Sequence, residues 1–207
     1  SRTPFEASVP GLLVFSVILL IFSSSMAVVK EIEFGTLSRL RLTSVSTLEL
    51  LAGMSAVQMF LGIVSVFLTF FIAWTLGFRS AGSIVFAFFI SGIACFASVG
   101  IGMVVASISR SQTRAFLVSS VAMFLLLLFS GIVFPRPDVM LFDIGGYTIR
   151  LFDFLPTTHM GKGLEKVLTL GASPLETIYE SGCLVFLAFF YFAAGAMIFN
   201  RTSRSLS

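Results

Sequence analysis

The sequence predicts an all-α fold, a polytopic bundle of transmembrane helices. Five apolar stretches that contain no Asp, Glu, Lys, Arg or His follow one another, at about residues 11–29, 50–76, 83–109, 115–134 and 182–199. A helix needs about 20 apolar residues to cross the hydrocarbon core of a bilayer. Hydrophobic residues make up 57% of the 207 residues, charged residues only 11%, and the mean hydropathy is +1.05. We therefore predict one transmembrane domain over residues 1–207, embedded in membrane lipid.

The distribution of Lys and Arg predicts the orientation of the bundle. Connections 30–49, 110–114 and 200–207 share one side and carry seven basic residues among 33, whereas the other side carries six among 63. The side with the higher basic density is normally cytoplasmic. This places segment 30–46 in the cytoplasm and segment 135–181 outside. The net charge of +3 then reflects topology and contact with lipid headgroups, and it gives no reason to expect nucleic-acid binding.

Local signals mark several helix ends. Ser46 and Glu49 have the spacing of a capping box, which opens the second span. Ser173 and Glu176 repeat the motif, so we expect the last helix to begin before its apolar part. Pro135 and its neighbours should end the fourth span, because proline removes a backbone donor.

Segment 135–181 is too apolar for a free loop, and we predict short helices that lie in, or dip into, the outer leaflet. Backbone at membrane depth requires cover from other protein or water, which indicates a cavity mouth or a partner subunit. A purely interfacial amphipathic segment is the alternative. The apolar residues of the segment are Leu141, Phe142, Ile144, Tyr147, Ile149, Leu151, Phe152, Phe154 and Leu155.

The spans offer little acid–base chemistry, so we predict that the chain is not an enzyme. Proton-coupled carriers place ionisable groups near the bilayer midplane, and none is found in these stretches. His159 is expected at the surface, and Cys95 and Cys183 are expected to pack as small apolar residues. Lys162 does not belong to a phosphate-binding loop, because the spacing GxxxxGK[ST] is missing. We expect no catalytic residue, metal site or cofactor in this chain.

Two spans carry small or polar residues at helical spacing. A stripe of small residues in the third span permits close helix approach, either within the chain or between subunits; it consists of Ala94, Ser98, Gly102 and Ala106. In the second span Gln58, Ser65 and Thr69 share a face with Gly62. An unpaired amide in lipid is costly, so Gln58 should face either protein or a water-filled translocation path.

The segment from Lys30 to Ser46 has a pattern of its own. A charged turn leaves the first helix, Gly35 breaks it, and a short amphipathic piece displaying Arg39 and Arg41 follows. This describes a stiff helix–break–helix that could receive motion from a soluble partner. A solvated loop whose arginines contact headgroups is the alternative.

Four segments follow one another along the chain: Glu31-x-Glu33-x-Gly35-Thr36-Leu37-x-x-Leu40, Ser107–Gln112, Ser130–Pro135 and Leu155–His159. In this order they resemble motifs of the ABC-2 type transporter permeases, the membrane subunits of ABC exporters. The first is similar to the end of the second helix of that family, and the second to its short cytoplasmic loop. The third resembles the end of its penultimate helix, and the fourth its "NPLTH" stretch. The chain departs from the family at Ser44 (usually Pro), Met54 (often Lys) and Leu155 (commonly Asn).

The resemblance covers helices two to six of a six-helix subunit, so it implies a first helix that precedes this sequence. It also implies a homodimer in a prokaryotic plasma membrane, in which each subunit is docked on a separate ABC ATP-binding subunit that holds ATP and Mg²⁺. Coupling would pass through Glu31, Glu33, Gly35, Thr36, Leu37, Arg39, Leu40 and Arg41, with a contribution from Arg110, Gln112 and Arg114.

Two other functions fit parts of the pattern. A non-transporting membrane scaffold could use the same surface to bind a soluble partner. An ion-coupled carrier is disfavoured by the uncharged spans. The cargo cannot be read from the sequence, because an aromatic content of 14% is equally natural for a lipid-facing surface.

Overall fold

The computed structural model describes residues 4–35, 47–109, 111–131, 140–144 and 147–205. Five helices in these ranges are long and apolar enough to cross a membrane. This confirms the predicted transmembrane helical bundle, and the chain is a multi-pass membrane protein.

The spans are α1 (Pro4–Glu33), α2 (Thr47–Thr75), α3 (Ile84–Ile108), α4 (Gln112–Phe129) and α6 (Ile178–Ser205). A hairpin of β1 and β2, a 3₁₀ turn and a buried helix, α5, separate α4 from α6; their bounds are Met140–Ile144, Tyr147–Arg150, Leu151–Phe154 and Pro156–Leu164. Successive spans alternate in direction, which gives the bundle two ends. The Glu33 end is where α1 stops and α4 starts, and the His159 end is where α5 lies.

Helix α1 lies at the centre of the bundle. It packs against α2, α3, α4 and α5, and Leu13, Ile18 and Ile21 on it are fully buried. One face of α1 is not covered, because Leu12, Phe15 and Leu19 are 47%, 40% and 43% exposed.

Helix α3 packs between α1 and α6 through glycines that allow close backbone approach. A Cβ atom on Gly100 would lie 2.6 Å from the backbone nitrogen of Phe192, and one on Gly195 would lie 2.8 Å from the carbonyl oxygen of Gly100. On the opposite side of α3, a Cβ on Gly102 would lie 2.7 Å from Cβ of Ser24. Any larger side chain at these crossings would push the helices apart.

The helix ends agree with the sequence at one point and differ at another. The backbone N–H of Ser173 donates to the Glu176 carboxylate at 2.9 Å, so the predicted capping box precedes α6. Helix α4 ends at Phe129 rather than near residue 134, because Gly131 adopts a left-handed φ of +77° that terminates helices readily. Pro135 and Ser46, which were expected to mark helix ends, lie outside the described residues.

The segment before α6 divides into two parts. The prediction of short helices is wrong for residues 140–150, where β1 and β2 pair antiparallel with Ile144 opposite Tyr147. The sequence between the strands is Gly145-Gly146, a dipeptide typical of hairpin turns. The prediction is correct for α5, which continues as a π-helical turn over Glu165–Thr169.

Helix α5 lies inside the bundle, covered by α1, α3 and α6. Eight of its nine residues are buried, and only Lys162 is partly exposed. This is the arrangement expected of a re-entrant helix, since non-spanning backbone at membrane depth needs protein around it.

Candidate functional site

The end of α1 forms the break predicted at Gly35. Gly35 has a φ of +68°, and its N–H donates to the carbonyl of Ile32 at 3.1 Å, while the Phe34 N–H donates to Lys30 at 3.0 Å. A left-handed residue at this position stops the helix and turns the chain away.

Glu33 connects the end of α1 to the start of α4. Its Oε2 accepts a hydrogen bond from the backbone N–H of Gln112 at 3.0 Å, although the two residues are 79 positions apart. The Ser111 hydroxyl caps the same helix by accepting from the Arg114 N–H at 3.3 Å. A carboxylate at a helix N-terminus pairs with free N–H groups and with the positive end of the helix dipole.

The structure thus brings together two of the segments predicted to couple to a partner. Glu31 is half-buried beside Glu33, and Arg114 is exposed on the first turn of α4. The remaining predicted coupling residues lie outside the described residues; they are Thr36, Leu37, Arg39, Leu40, Arg41 and Arg110.

Gln58, one of the candidate path residues, faces protein. Its Oε1 accepts a hydrogen bond from the Ser23 hydroxyl on α1 at 2.9 Å, and the side chain is only 7% exposed. Ser65 and Thr69 lie further along α2 and are half-buried. The Thr69 hydroxyl donates to the carbonyl of Ser65 at 2.8 Å, which satisfies it within its own helix.

Three consecutive serines of α1, which the sequence analysis did not single out, each contact a different span. Ser23 binds Gln58 of α2, and Ser24 donates to the Val99 carbonyl of α3 at 3.4 Å. The Ser25 and Ser119 hydroxyls, on α1 and α4, are 2.5 Å apart and buried. The run Ser-Ser-Ser inside an apolar span is the sequence signal that could have identified this polar layer.

The small-residue stripe of α3 is buried within the single chain. Ala94, Ser98 and Ala106 are at most 3% exposed, and Gly102 packs on Ser24. Cys95, on the neighbouring face of α3, is a free and buried thiol. It lies close to Gly62, so a Cβ atom on that glycine would contact it. Ala94 and Cys95 belong to the main apolar core.

His159 was expected at the surface, and that prediction is wrong: its side chain is 1% exposed. Its Nε2 donates to the Asp153 carbonyl at 2.8 Å, and the ring meets Tyr179 edge-on with the centroids 6.2 Å apart. Burial lowers the pKa of His159 below its ordinary 6.5, with Lys162 acting in the same direction and Asp153 and Glu180 opposing it. The histidine is buried because α5 inserts between spans, which hydropathy alone does not reveal.

Two ion pairs flank the histidine. Lys162 bonds Asp153 at 3.2 Å, and Lys166 bonds Glu180 of α6 at 2.6 Å. These four charged groups therefore form two neutral pairs beside the histidine. In the part of the chain that the structure describes, no three His, Cys, Asp or Glu residues group closely enough to hold a metal ion.

Comparison with known proteins agrees with this architecture. The sequence profile described as "ABC-2 type transporter" matches residues 2–169. The chain belongs to the ABC-2 type transporter family. The matched region runs from α1 through the π-helical turn, so it includes both the hydrogen bond between Glu33 and Gln112 and helix α5.

Two curated relatives of this ABC-2 chain carry the same name. The "Probable multidrug ABC transporter permease YbhS" of Escherichia coli K12 and its counterpart in E. coli O157:H7 are each 32% identical over 113 residues, which is 54% of this chain. The match spans only 30% of the length of either relative. No solved structure matches the chain significantly.

Proposed function

We propose that the chain is the membrane-spanning permease part of an ATP-driven ABC exporter in a prokaryotic plasma membrane. Family membership, five spans and relatives named as multidrug permeases support this assignment. ATP and Mg²⁺ would bind in a separate ABC ATP-binding subunit, with this chain supplying the membrane path. The alternative, a scaffold that binds a soluble partner without transport, uses the same surface and makes a different prediction below.

The hydrogen bond between Glu33 and Gln112 is the observation that carries the proposal. The predicted coupling segment, residues 30–46, begins at the charged end of α1, and Glu33 fixes that end to the first turn of α4 at 3.0 Å. A displacement of the segment by the partner would therefore move α1 and α4 together. Because α1 contacts three other spans, the motion would spread through the whole bundle.

The outward faces of α2 and α4 support contact with lipid and with a second copy of the chain. Phe60, Phe67 and Trp74 on α2 are 66%, 57% and 67% exposed, and Phe124 on α4 is 60% exposed. Apolar surface of this extent requires lipid or protein cover. We propose that one part of it faces the bilayer and another forms the interface of a homodimer.

An apolar cavity supports a cargo with substantial apolar surface. It has a volume of about 400 Å³ and lies between α3, α4 and α6, lined by Ile101, Ala122, Leu125, Leu126, Phe129, Phe152, Leu155 and Tyr191. Pockets of this size and character accept small organic molecules. This agrees with the multidrug name of the relatives, and the cavity offers no group suited to binding an inorganic ion.

The proposal predicts that Glu33→Gln uncouples transport from ATP hydrolysis. The substitution keeps the shape of the side chain but removes the charge that strengthens its bond to the α4 N-terminus. With the complex of permease and ATP-binding subunits in vesicles, we expect cargo moved per ATP hydrolysed to fall roughly three- to tenfold, since a charged hydrogen bond contributes about 1.5–3 kcal/mol before screening.

Glu165→Gln is the matched control, because it makes the same change at an exposed carboxylate far from the contact between α1 and α4. Equal coupling in both variants would contradict the role of Glu33. A complex that binds the partner but moves no cargo, even with the native chain, would favour the scaffold instead.

A further inference from the structure

The seam between α5 and α6 contains two buried hydrogen-bond acceptors, one on each helix, that have no donor among the described residues. The first is Nδ1 of His159. Nε2 lies 2.8 Å from the Asp153 carbonyl, and a carbonyl only accepts, so Nε2 carries the proton and Nδ1 of the neutral ring has a lone pair. Nδ1 is buried and has no hydrogen-bond partner among the described residues.

The second acceptor is Oε2 of Glu180. Oε1 of this carboxylate binds Lys166 at 2.6 Å, while Oε2 is buried with no partner in the described ranges. Gly163, one helical turn beyond His159, sits against the same residue: a Cβ there would be 3.9 Å from Glu180 Cβ. His159 and Glu180 are 1% and 6% exposed, so both acceptors are enclosed where an unmade hydrogen bond is most costly.

We propose that this seam is a proton-binding site, in which a proton from the aqueous phase binds Nδ1 of His159 and the Glu180 carboxylate, although paired with Lys166, attracts it. The step forms one N–H bond on the ring and breaks one O–H bond of a hydronium ion, which becomes a water molecule. The ring changes from neutral to singly positive, and Nδ1 changes from acceptor to donor. A proton is the smallest species that can supply a donor to an enclosed pair of acceptors.

The surrounding charges favour the neutral ring while α5 is in place. Asp153 and Glu180 attract a proton, Lys162 repels it, and burial opposes it most strongly, so the pKa of His159 lies below 6.5. Helix α3 has no charged residue, and the charged residues of α1 and α4 lie at the Glu33 end except for Glu6 in the first turn of α1.

Proton binding is therefore linked to the position of α5. Withdrawal of α5 would expose the ring and restore the pKa towards 6.5, so the exposed form binds more protons than the buried form. The buried form is fully favoured above pH 6.5 and loses that advantage as the pH falls from 6.5 towards the lowered pKa. Acid at the His159 end should loosen α5.

His159 is the single histidine of the chain, which allows a direct test by ¹⁵N NMR with histidine-selective labelling. In the full chain in lipid nanodiscs, with a tag that contains no histidine, we expect the Nε2–H tautomer at pH 7.5 and protonation of Nδ1 with a midpoint below 6.5. An Nδ1–H tautomer, a midpoint at or above 6.5, or no titration down to about pH 4 would each overturn the proposal.

Glu180→Gln and Glu165→Gln form the matched pair of variants. Removal of the Glu180 charge should lower the midpoint measurably, because this carboxylate attracts the proton. Glu165 is exposed on the outer side of the π-helical turn, and its loss should have no effect. Equal midpoints in the two variants would contradict a role for Glu180.

Thiol labelling tests the link to α5 without depending on the Glu180 variant. A Thr158→Cys reporter, at a site with 0% exposure, is placed in a chain whose Cys95 and Cys183 are replaced by Ala. Its labelling rate, divided by that of Leu170→Cys at an exposed site, should rise at least threefold between pH 7.5 and pH 5.5, and the rise should vanish with His159→Gln. A ratio that is independent of pH would refute the release of α5 by acid.

Discussion

The two ends of the bundle place charged side chains in different surroundings. At the Glu33 end, Glu33 and Arg114 are exposed, and the joint between α1 and α4 is a hydrogen bond at the surface. At the His159 end, His159 and Glu180 are at most 6% exposed and lie between helices. A surface contact can be made and broken at small cost, whereas a buried cluster holds one arrangement until its charges change.

The difference fits two separate roles. The Glu33 end suits repeated contact with a soluble partner, since its charged side chains are accessible at the surface. The His159 end suits the task of holding α5 in place, since the Lys166–Glu180 pair and the buried histidine stabilise α5 in one position. Sequence composition hides this contrast, because both ends carry similar numbers of charged residues.

The largest expected loss of stability comes from disrupting the packing of α3 against α6, two helices that run between the two ends. In Gly100→Leu a side chain would enter the crossing of α3 and α6, where a Cβ would be 2.6 Å from the Phe192 backbone nitrogen. We expect the free energy of unfolding to fall by about 3 kcal/mol or more, measured by thermal unfolding in detergent with the single tryptophan, Trp74, as probe.

Gly92→Leu on the same helix is the control for this prediction. A Cβ at Gly92 meets no atom within 4 Å, so the variant should unfold within a few degrees of the native chain. If both leucine variants were equally destabilised, the loss would not be specific to the crossing of α3 and α6.

A smaller loss of stability should distinguish the His159 end of the bundle from the Glu33 end. In Lys166→Met the Glu180 carboxylate loses its cation in a buried site, and we expect a loss of about 1–2 kcal/mol, reduced by the partial exposure of the lysine. The same thermal assay at pH 7.5 measures it. Arg114→Met at the Glu33 end should change the free energy of unfolding by less than about 0.5 kcal/mol.

The double variant Lys166→Met, Glu180→Gln sharpens this comparison. Removal of the uncompensated charge should recover part of the loss. A double variant that is less stable than Lys166→Met alone would show that Glu180 contributes through contacts other than the ion pair.

The spans and the break at Gly35 could be predicted from the sequence because they depend on local properties. Hydropathy over about 20 residues defines a span, and a glycine after Glu31 and Glu33 predicts the end of α1. The same approach anticipated the cap formed by Glu176 on Ser173, which closes within four residues.

The functional contacts could not be predicted because they join distant positions. Glu33 meets Gln112, Ser23 meets Gln58 and Ser25 meets Ser119 only after α1 has packed at the centre of the bundle. The burial of His159 has the same origin: the sequence of α5 is polar enough for a surface helix, and only its insertion beside α3 and α6 encloses it. The hairpin was missed because β-branched and aromatic residues around Gly145-Gly146 were interpreted as helical.

The last prediction concerns the pair Ser25 and Ser119, which joins α1 to α4 between the two ends, and it depends on small differences among the variants of this pair. The Ser25 hydroxyl donates to the Phe22 carbonyl at 3.0 Å, so in the 2.5 Å contact the hydroxyl of Ser119 is the donor. Ser25→Ala would leave that buried donor without an acceptor and should cost about 1–2 kcal/mol, whereas Ser119→Ala should cost less than about 1 kcal/mol.

The double variant Ser25→Ala, Ser119→Ala should be no less stable than Ser25→Ala alone, because an alanine pair leaves no unpaired group. Ser120→Ala is the control, since the Ser120 hydroxyl donates only to the Phe116 carbonyl of its own helix at 2.7 Å. Additive losses in the double variant would mean that the two hydroxyls act independently. In that case the α1 serine at this position would not join α1 to α4 through a specific pair, and apolar packing alone would have to transmit motion between the two helices.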